Sequence, residues 1–118
     1  NLKNTISPEG QACKIVLTPE AGTKGEWRLT IGSLRLTADF YSNILSIEDT
    51  ETHVYYMKER ISAGQEISFI FDQEVIEVFA ENGKVYGAAE TEENILGMDW
   101  EVFRTEDLKV SEKMCLYK

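Results

Sequence analysis

The chain has 118 residues, of which 42% are hydrophobic and 28% charged, a composition typical of a single globular domain that would span residues 1–118. Its formal net charge is −9, from 21 acidic and 12 basic residues. This balance argues against nucleic acid and against an anionic membrane surface as partners, since both are bound through basic patches. No apolar run approaches the roughly 20 residues that a membrane-spanning helix needs.

In chain order, apolar and polar residues alternate with a period of two, which is the pattern of strands with one face on a core. The first run carries Cys13, Ile15 and Leu17 on one side. After a break, residues 26–31 and 34–40 alternate in the same way, with apolar side chains at Trp27, Leu29, Ile31, Leu34, Leu36, Ala38 and Phe40. The intervening Gly32-Ser33 suits a type II′ turn, because glycine accepts positive φ at the first central position.

More short strands are predicted further along the chain. The segment 66–90 contains three apolar-rich candidates, separated at 72–73 and at Asn82-Gly83. An Asn-Gly pair between strands predicts a hairpin with a type I′ turn. The remaining strand predictions are residues 45–47, 52–58, 100–103 and 110–117, and only 106–110 has room for a helical turn. Such a series of nine to eleven short strands predicts an all-β, antiparallel two-sheet β-sandwich of jelly-roll-like type.

The two cysteines, Cys13 and Cys115, stand near the two ends of the chain. Their spacing matches no zinc-ligand pattern. Terminal strands of a sandwich often lie side by side, so a disulfide is geometrically feasible. Two unpaired, buried thiols are the expected state, because small disulfide-stabilised domains carry more cysteine than this chain does.

Sequence motifs for enzymatic chemistry are absent: no G-x-S-x-G, H-E-x-x-H, Walker loop or G-x-G-x-x-G occurs. The single histidine, His53, is expected in a strand without a catalytic role. Asp72 and Glu77 are the carboxylates to consider for glycoside hydrolysis, which needs two carboxyl groups about 5–10 Å apart. With 21 acidic residues such pairs arise by chance. A structural role is therefore favoured, in which Asp72 caps a turn and Glu77 faces solvent or an ion-pair partner.

No cofactor or metal is expected. The acidic loop 48–51 lacks the ordered ligand spacing of a calcium site. Aromatic side chains provide platforms for sugar rings, although packing in the core or at its rim is the favoured role for each. Tyr55 and Tyr56 adjoin in a predicted strand, so one is expected in the core and the other at the surface. The aromatic candidates are Trp27, Tyr41, Tyr55, Tyr56 and Trp100.

Three consecutive segments carry a family resemblance: 67–72 (ISFIFD), 75–79 (VIEVF) and 81–83 (ENG). They resemble the pattern L-R-I-F-V-D-R-S-S-V-E-V-F-x-N-D-G-E of the C-terminal β-sandwich in glycoside hydrolase family 32. That family comprises invertases, levanases, inulinases and sucrose-6-phosphate hydrolases. The chain departs from the pattern where D-R-S-S becomes D-Q-E-V, which removes the arginine and both serines, and its hairpin turn is one residue shorter.

This resemblance implies that the chain is the non-catalytic C-terminal module of a fructan- or sucrose-cleaving enzyme. Catalytic residues of the family lie on an N-terminal propeller, near a W-M-N-D-P-N-G stretch that is absent here. The propeller of the same protein would be the partner that this module stabilises, and fructan or another carbohydrate would be a second partner. At matching positions, Asp72, Glu77 and Arg60 would bind the hydroxyls of a terminal fructose, with Tyr55 as a platform.

An autonomous, lectin-like carbohydrate-binding module is the alternative. A module that packs on another domain should expose a contiguous apolar patch when isolated. A binding module should instead have a shallow polar groove with converging side chains and an aromatic residue. An enzyme complete in itself is the least expected function, because no catalytic constellation supports it.

Overall fold

The structure, a computed structural model, describes residues 1–117 and contains eleven strands in two antiparallel sheets. The strands are β1 (Leu2–Ile6), β2 (Ala12–Pro19), β3 (Glu26–Ile31), β4 (Leu34–Asp39), β5 (Ile44–Asp49), β6 (Val54–Arg60), β7 (Ile67–Asp72), β8 (Val75–Ala80), β9 (Val85–Glu90), β10 (Trp100–Arg104) and β11 (Val110–Tyr117). One sheet has six strands in the order β1-β10-β3-β4-β5-β6, and the other has five in the order β11-β2-β7-β8-β9. The predicted all-β, antiparallel two-sheet sandwich is therefore confirmed.

An aromatic stack at the centre of the core joins the two sheets. Trp27 and Trp100 come from the six-stranded sheet, and Phe69 and Phe71 from the five-stranded sheet; all four are fully buried. Ring centroids are 5.1 Å apart for Trp27 and Phe69, 6.4 Å for Phe69 and Phe71, and 4.5 Å for Phe71 and Trp100. Aromatic side chains of this size bury a large apolar area per residue. The period-two alternation of the sequence thus produces one continuous core.

The turn at Gly32-Ser33 has the predicted length. Ile31 pairs with Leu34, so two residues connect the strands, and φ is positive at Gly32 (58°) but not at Ser33. This combination agrees with a type II′ turn.

The hairpin at Asn82-Gly83 is present, but the type I′ prediction is wrong. Ala80 pairs with Val85, so four residues connect the strands, and φ is positive at Glu81, Asn82 and Gly83. The Glu81 Oε1 accepts a hydrogen bond from the backbone N–H of Ser62 at 2.6 Å. This contact ties the longer loop to the connection between β6 and β7.

At three other places the structure adds to or differs from the sequence predictions. Strand β1 was not predicted, because four of its five residues are exposed and give no inward-facing apolar pattern. His53 lies in a turn with φ of 59° and not in a strand, because the side chain of Asp49 accepts hydrogen bonds from the N–H groups of Glu51 and Thr52 and closes a turn there. No helix forms at 106–110, where a tight turn leads directly into β11.

Both cysteines are unpaired, and they differ in exposure. Cys13 faces the core, whereas Cys115 lies opposite Lys14 on the edge strand β11 and is exposed. The prediction of two free thiols is confirmed, but the prediction that both are buried is wrong for Cys115. Burial raises the pKa of Cys13 from 9.0 to about 11, and the nearby Cys115 adds to this shift.

Thiol labelling is expected to separate the two cysteines. At pH 8, Cys115 should react with a thiol reagent at once, and Cys13 only after unfolding, because a buried thiol with a raised pKa supplies almost no thiolate. The folded state keeps a proton on Cys13 that the unfolded chain loses, so this contribution to stability is present below pH 9 and is lost as the pH rises toward 11. The variant Cys115→Ser, which keeps only Cys13, is the control. Rapid labelling of this variant without denaturant would contradict the assignment of Cys13 as the protected thiol.

Candidate functional site

The four ligand residues predicted from the sequence lie on two different surfaces. Asp72 and Glu77 belong to the five-stranded sheet, at the end of β7 and on β8. Tyr55 and Arg60 belong to β6, the edge strand of the six-stranded sheet. The structure therefore divides these residues between the two sheets and does not bring them together as one set of four.

On the five-stranded sheet, Glu77 is already engaged by a neighbour. Its Oε2 accepts a hydrogen bond from the Tyr86 hydroxyl at 2.8 Å, which raises the pKa of Tyr86, and the Tyr86 ring is tilted against Phe79 at 5.0 Å. Asp72 pairs with Val75, so Gln73 and Glu74 form the turn. Among residues 1–117 the Asp72 carboxylate has no hydrogen-bond partner, and the predicted Asp72 cap is absent. This surface offers one free carboxylate without a converging partner.

The outer face of the six-stranded sheet carries three rows of cross-strand neighbours, which we call the polar face. Its first row contains Thr30, Arg35, Glu48 and Tyr55; its second Arg28, Thr37, Ser46 and Lys58; and its third Glu26, Asp39, Ile44 and Arg60. A shallow groove of about 360 Å³ lies over these rows and reaches from Glu26 to Tyr55. This volume is at the lower end of the range for small-molecule sites.

A β-bulge places Tyr55 in this groove. The register of β5 and β6 shifts after Ile47, so Glu48 pairs with Tyr55 and Tyr56 is left as the extra residue. Residues 55 and 58 would point to opposite faces of a regular strand, but the bulge puts both on the polar face. The Lys58 ammonium lies 4.8 Å from the centre of the Tyr55 ring. The prediction that one of the two tyrosines is in the core is wrong, since Tyr55 and Tyr56 are 47% and 45% exposed.

Within the groove, some polar groups already have partners. The Arg28 guanidinium binds the Glu26 carboxylate through Nε at 3.1 Å and Nη2 at 2.5 Å, and it lies 4.7 Å from the centre of the Phe103 ring. The Asp39 Oδ1 accepts hydrogen bonds from the N–H groups of Tyr41 and Ser42. These side chains support the sheet and its turns.

Arg35, Glu48 and Lys58, in contrast, form no ion pair within residues 1–117. The Arg35 Nε is buried and has no hydrogen-bond partner in this part of the chain. The Tyr55 end of the groove thus combines a guanidinium donor, a carboxylate acceptor, an ammonium group and an aromatic ring. Chemically, this set is suited to a ligand with several hydroxyl groups.

Of the four residues predicted from the sequence, only Tyr55 lines the groove, and the sequence reasoning did not single out Arg35, Glu48 and Lys58. Their only sequence signal was polarity. The strand register and the bulge were needed to align them, and neither feature follows from composition or spacing.

A larger cavity of about 830 Å³ is lined by the turn at Gly32, the end of β5 and residues 90–93. Its lining contains no basic side chain, and its carboxylates are Asp49, Glu51, Glu90, Glu92 and Glu93. Nevertheless, residues 1–117 contain no group of three or more His, Cys, Asp or Glu side chains placed to hold a metal ion. No helix in the same range is long and apolar enough to cross a membrane.

The two lateral edges of the sandwich differ. At one edge, β6 and β9 contact each other, and Met57 packs directly on Gly87. At the other edge, the strands β1 and β11 present apolar side chains from their inward faces to solvent: Leu2, Met114 and Leu116 are 61%, 38% and 47% exposed. We call this surface the open edge.

Solved structures were found that share this fold. The structure is similar to exo-inulinase from Aspergillus awamori, with 17% identity and a TM-score of 0.72 over 94% of this chain and 26% of that chain. It is also similar to a glycoside hydrolase of family 32 from Bifidobacterium adolescentis, with 13% identity and a TM-score of 0.67 over 97% of this chain and 19% of that chain. The resemblance inferred from the sequence is confirmed at the level of fold. This chain spans about a quarter or less of the length of these enzymes.

Galectins share the architecture as well. The toad ovary galectin, solved with thio-digalactose, has 13% identity and a TM-score of 0.56 over 98% of this chain and 99% of that chain. No protein-family model matches the sequence, and no curated protein matches it. At these identities the comparisons establish the fold, and the function rests on the surfaces described above.

Proposed function

We propose that this chain is a non-catalytic β-sandwich module of a fructan- or sucrose-cleaving glycoside hydrolase. Its role there is to pack against the catalytic propeller of the same protein and to stabilise it. The supporting observation is that 94% of this chain superposes on only 26% of the exo-inulinase chain, so most of that enzyme lies outside the part that this chain matches.

The open edge supports this role as the packing surface. Leu2, Met114 and Leu116 face inward on the two edge strands, yet more than a third of each side chain is exposed to water. Covering such apolar area with another domain is favourable, by about 25 cal/mol for each Å² removed from water. The groove, by comparison, is polar and suits a hydrated ligand.

A non-catalytic role agrees with the arrangement of the carboxylates. Glycoside hydrolysis uses two carboxyl groups on either side of a bound sugar. Glu77 is held by Tyr86, and neither Asp72 nor Glu77 lines the groove or the acidic cavity. Contact between fructan and the predicted residues remains part of the proposal, but as two separate surfaces: Tyr55 and Arg60 on the six-stranded sheet, and Asp72 and Glu77 on the five-stranded sheet.

The full reading frame that encodes this chain tests the proposal directly. A propeller domain with a W-M-N-D-P-N-G stretch is expected in the same reading frame. A coding sequence without any catalytic domain would overturn the proposal.

In the full-length protein, substitution of the open edge is expected to loosen the contact between domains. The double variant Met114→Lys and Leu116→Lys should lower the thermal midpoint of the propeller by several degrees, because charged side chains resist burial without partners. Val75→Lys, at an exposed position of β8, is the matched control and should leave that midpoint unchanged. Equal effects of the two changes would show that the open edge is not the contact surface.

A second candidate function is an autonomous carbohydrate-binding module, and the groove favours it. Its shallow shape, its free polar groups and the exposed Tyr55 ring match the features expected of such a module. Calorimetric titration with levan, inulin, sucrose and fructose tests this candidate, with Asp72→Ala and Arg60→Ala as variants of the residues predicted from the sequence. Heat that survives both changes would move the binding site away from those residues.

A further inference from the structure

We propose that the first row of the polar face, Arg35, Glu48 and Tyr55, binds a neutral oligosaccharide through two adjacent hydroxyl groups. This inference deepens the second candidate function and rests on the groove being a ligand site. It moves the recognition chemistry away from Asp72 and Glu77, the carboxylates that the sequence indicated, to residues of three neighbouring strands.

The row places complementary chemical groups side by side. Arg35 pairs with Glu48, and Glu48 pairs with Tyr55, so donor, acceptor and ring follow one another across β4, β5 and β6. Neighbouring strands are about 4.8 Å apart, so the row from Arg35 to Tyr55 covers about 10 Å. A hydroxyl group both accepts and donates hydrogen bonds. Adjacent hydroxyls can therefore accept from the guanidinium and donate to the carboxylate while a ring of the ligand lies on Tyr55.

Arg35 carries a hydrogen-bond donor without an acceptor. Its Nε is buried but lacks a partner within residues 1–117, whereas the equivalent atom of Arg28 in the next row binds Glu26. Buried polar groups in folded proteins are almost always hydrogen-bonded, and exceptions call for an explanation. The Nη groups of Arg35 also form no hydrogen bond within residues 1–117 but, unlike Nε, are not buried, so they are the donors that a ligand oxygen can reach.

The balance of charge selects a neutral ligand. The polar face carries four basic residues (Arg28, Arg35, Lys58 and Arg60) and three acidic ones (Glu26, Asp39 and Glu48), a net charge of +1. The whole chain carries −9. A polyanion would meet the unpaired Glu48 carboxylate beside Arg35, and it would be repelled by the rest of the surface. A neutral polyol uses the donors and the acceptor without either penalty.

The bulge in β6 is what makes the row selective. It turns Tyr55 onto the polar face, and Lys58 then covers one part of the ring. A ligand that stacks on Tyr55 must fit beside Lys58 and next to Glu48. This restricts the orientation of the sugar ring, so we expect discrimination between sugars that differ in the configuration of a single hydroxyl.

The test is a titration of the protein, followed by NMR chemical shifts or calorimetry, with neutral fructo-, galacto-, gluco- and manno-oligosaccharides and one sulfated oligosaccharide. At least one neutral oligosaccharide is expected to bind. Arg35→Lys and Glu48→Gln should each weaken its binding by about tenfold or more, because each change removes a charged hydrogen-bond partner. Tyr55→Leu should weaken it as well. Glu74→Gln, in the exposed turn between β7 and β8 of the opposite sheet, is the matched control and should stay within about twofold. Glu77→Gln is measured beside it, because the sequence placed Glu77 in the site.

Thermal unfolding of each variant shows whether it remains folded, and Glu48→Gln keeps the size and shape of the side chain. Failure of every neutral oligosaccharide to bind would overturn this inference. Preference for the sulfated ligand, or a larger loss with Glu77→Gln than with Glu48→Gln, would overturn it as well. None of these results bears on the packing role, which the coding sequence and the open-edge variants test separately.

Discussion

Gly25→Ala is expected to lower the free energy of unfolding by about 4 kcal/mol, the sum of backbone strain and overpacking. Gly25 has a φ of +113°, and a Cβ added there would lie 2.7 Å from the Thr105 Oγ1 and 2.8 Å from the Leu108 Cα. Its carbonyl accepts a hydrogen bond from the N–H of Phe40, so the backbone cannot move away freely. The thermal midpoint of unfolding should fall by about 15 °C, which calorimetry measures.

Two other glycines separate the causes of this effect. Gly22 has a φ of +77° but nothing within 4 Å of an added Cβ, so Gly22→Ala should cost only the backbone strain, about 1 kcal/mol. Gly97 has neither a positive φ nor a close neighbour, and Gly97→Ala should change stability by no more than about 0.5 kcal/mol. Equal destabilisation by Gly22→Ala and Gly25→Ala would show that the contact with Leu108 does not matter.

Trp100→Phe is expected to have the second large effect, about 3 kcal/mol of lost stability. The Trp100 indole is fully buried, donates a hydrogen bond of 2.8 Å to the Ile95 carbonyl and packs 4.5 Å from the Phe71 ring centroid. Phenylalanine would leave a cavity and would also remove the indole donor, so that the Ile95 carbonyl keeps only its hydrogen bond from the Met98 N–H at 3.2 Å. Equilibrium unfolding in urea measures the loss.

Trp27→Phe is the matched comparison, because Trp27 is equally buried but its indole N–H has no partner within residues 1–117. The change makes a similar cavity but removes a buried, unpaired donor, which itself costs about 1–3 kcal/mol. Trp27→Phe should therefore destabilise the protein less than Trp100→Phe by at least about 1 kcal/mol. The opposite order would mean that cavity shape, and not the hydrogen bond, sets the cost.

These core residues matter for the groove as well. Trp27 lies on β3 between Glu26 and Arg28, and Trp100 lies on β10, the next strand of the six-stranded sheet. The alternation that buries each tryptophan is what turns its neighbours outward to the polar face. Binding measurements on the core variants would therefore report whether the rows of the polar face depend on tight packing beneath them.

The candidate site shows where prediction from the sequence ends. The sequence placed Arg35 and Lys58 in predicted strands and Glu48 in an acidic loop, and nothing marked the three residues as neighbours. Two of the sequence-based choices, Tyr55 and Arg60, lie on the polar face, and the other two, Asp72 and Glu77, lie on the opposite sheet. The family resemblance rested on the residues of one local hairpin, β7 and β8. Such a local pattern does not show which side chains of the other sheet lie close together.

The sequence by itself determined the strands with inward-facing apolar side chains, the two-sheet architecture and the hairpins, because these depend on near-neighbour alternation and on residues that accept positive φ. It did not determine β1, the length of the turn at Asn82-Gly83, the exposure of Cys115 or the bulge that exposes both Tyr55 and Tyr56. Each of these features depends on which strands lie at the edge of a sheet and on the register in which neighbouring strands pair. Only the tertiary structure decides this, since edge position and register arise from contacts between residues far apart in the chain.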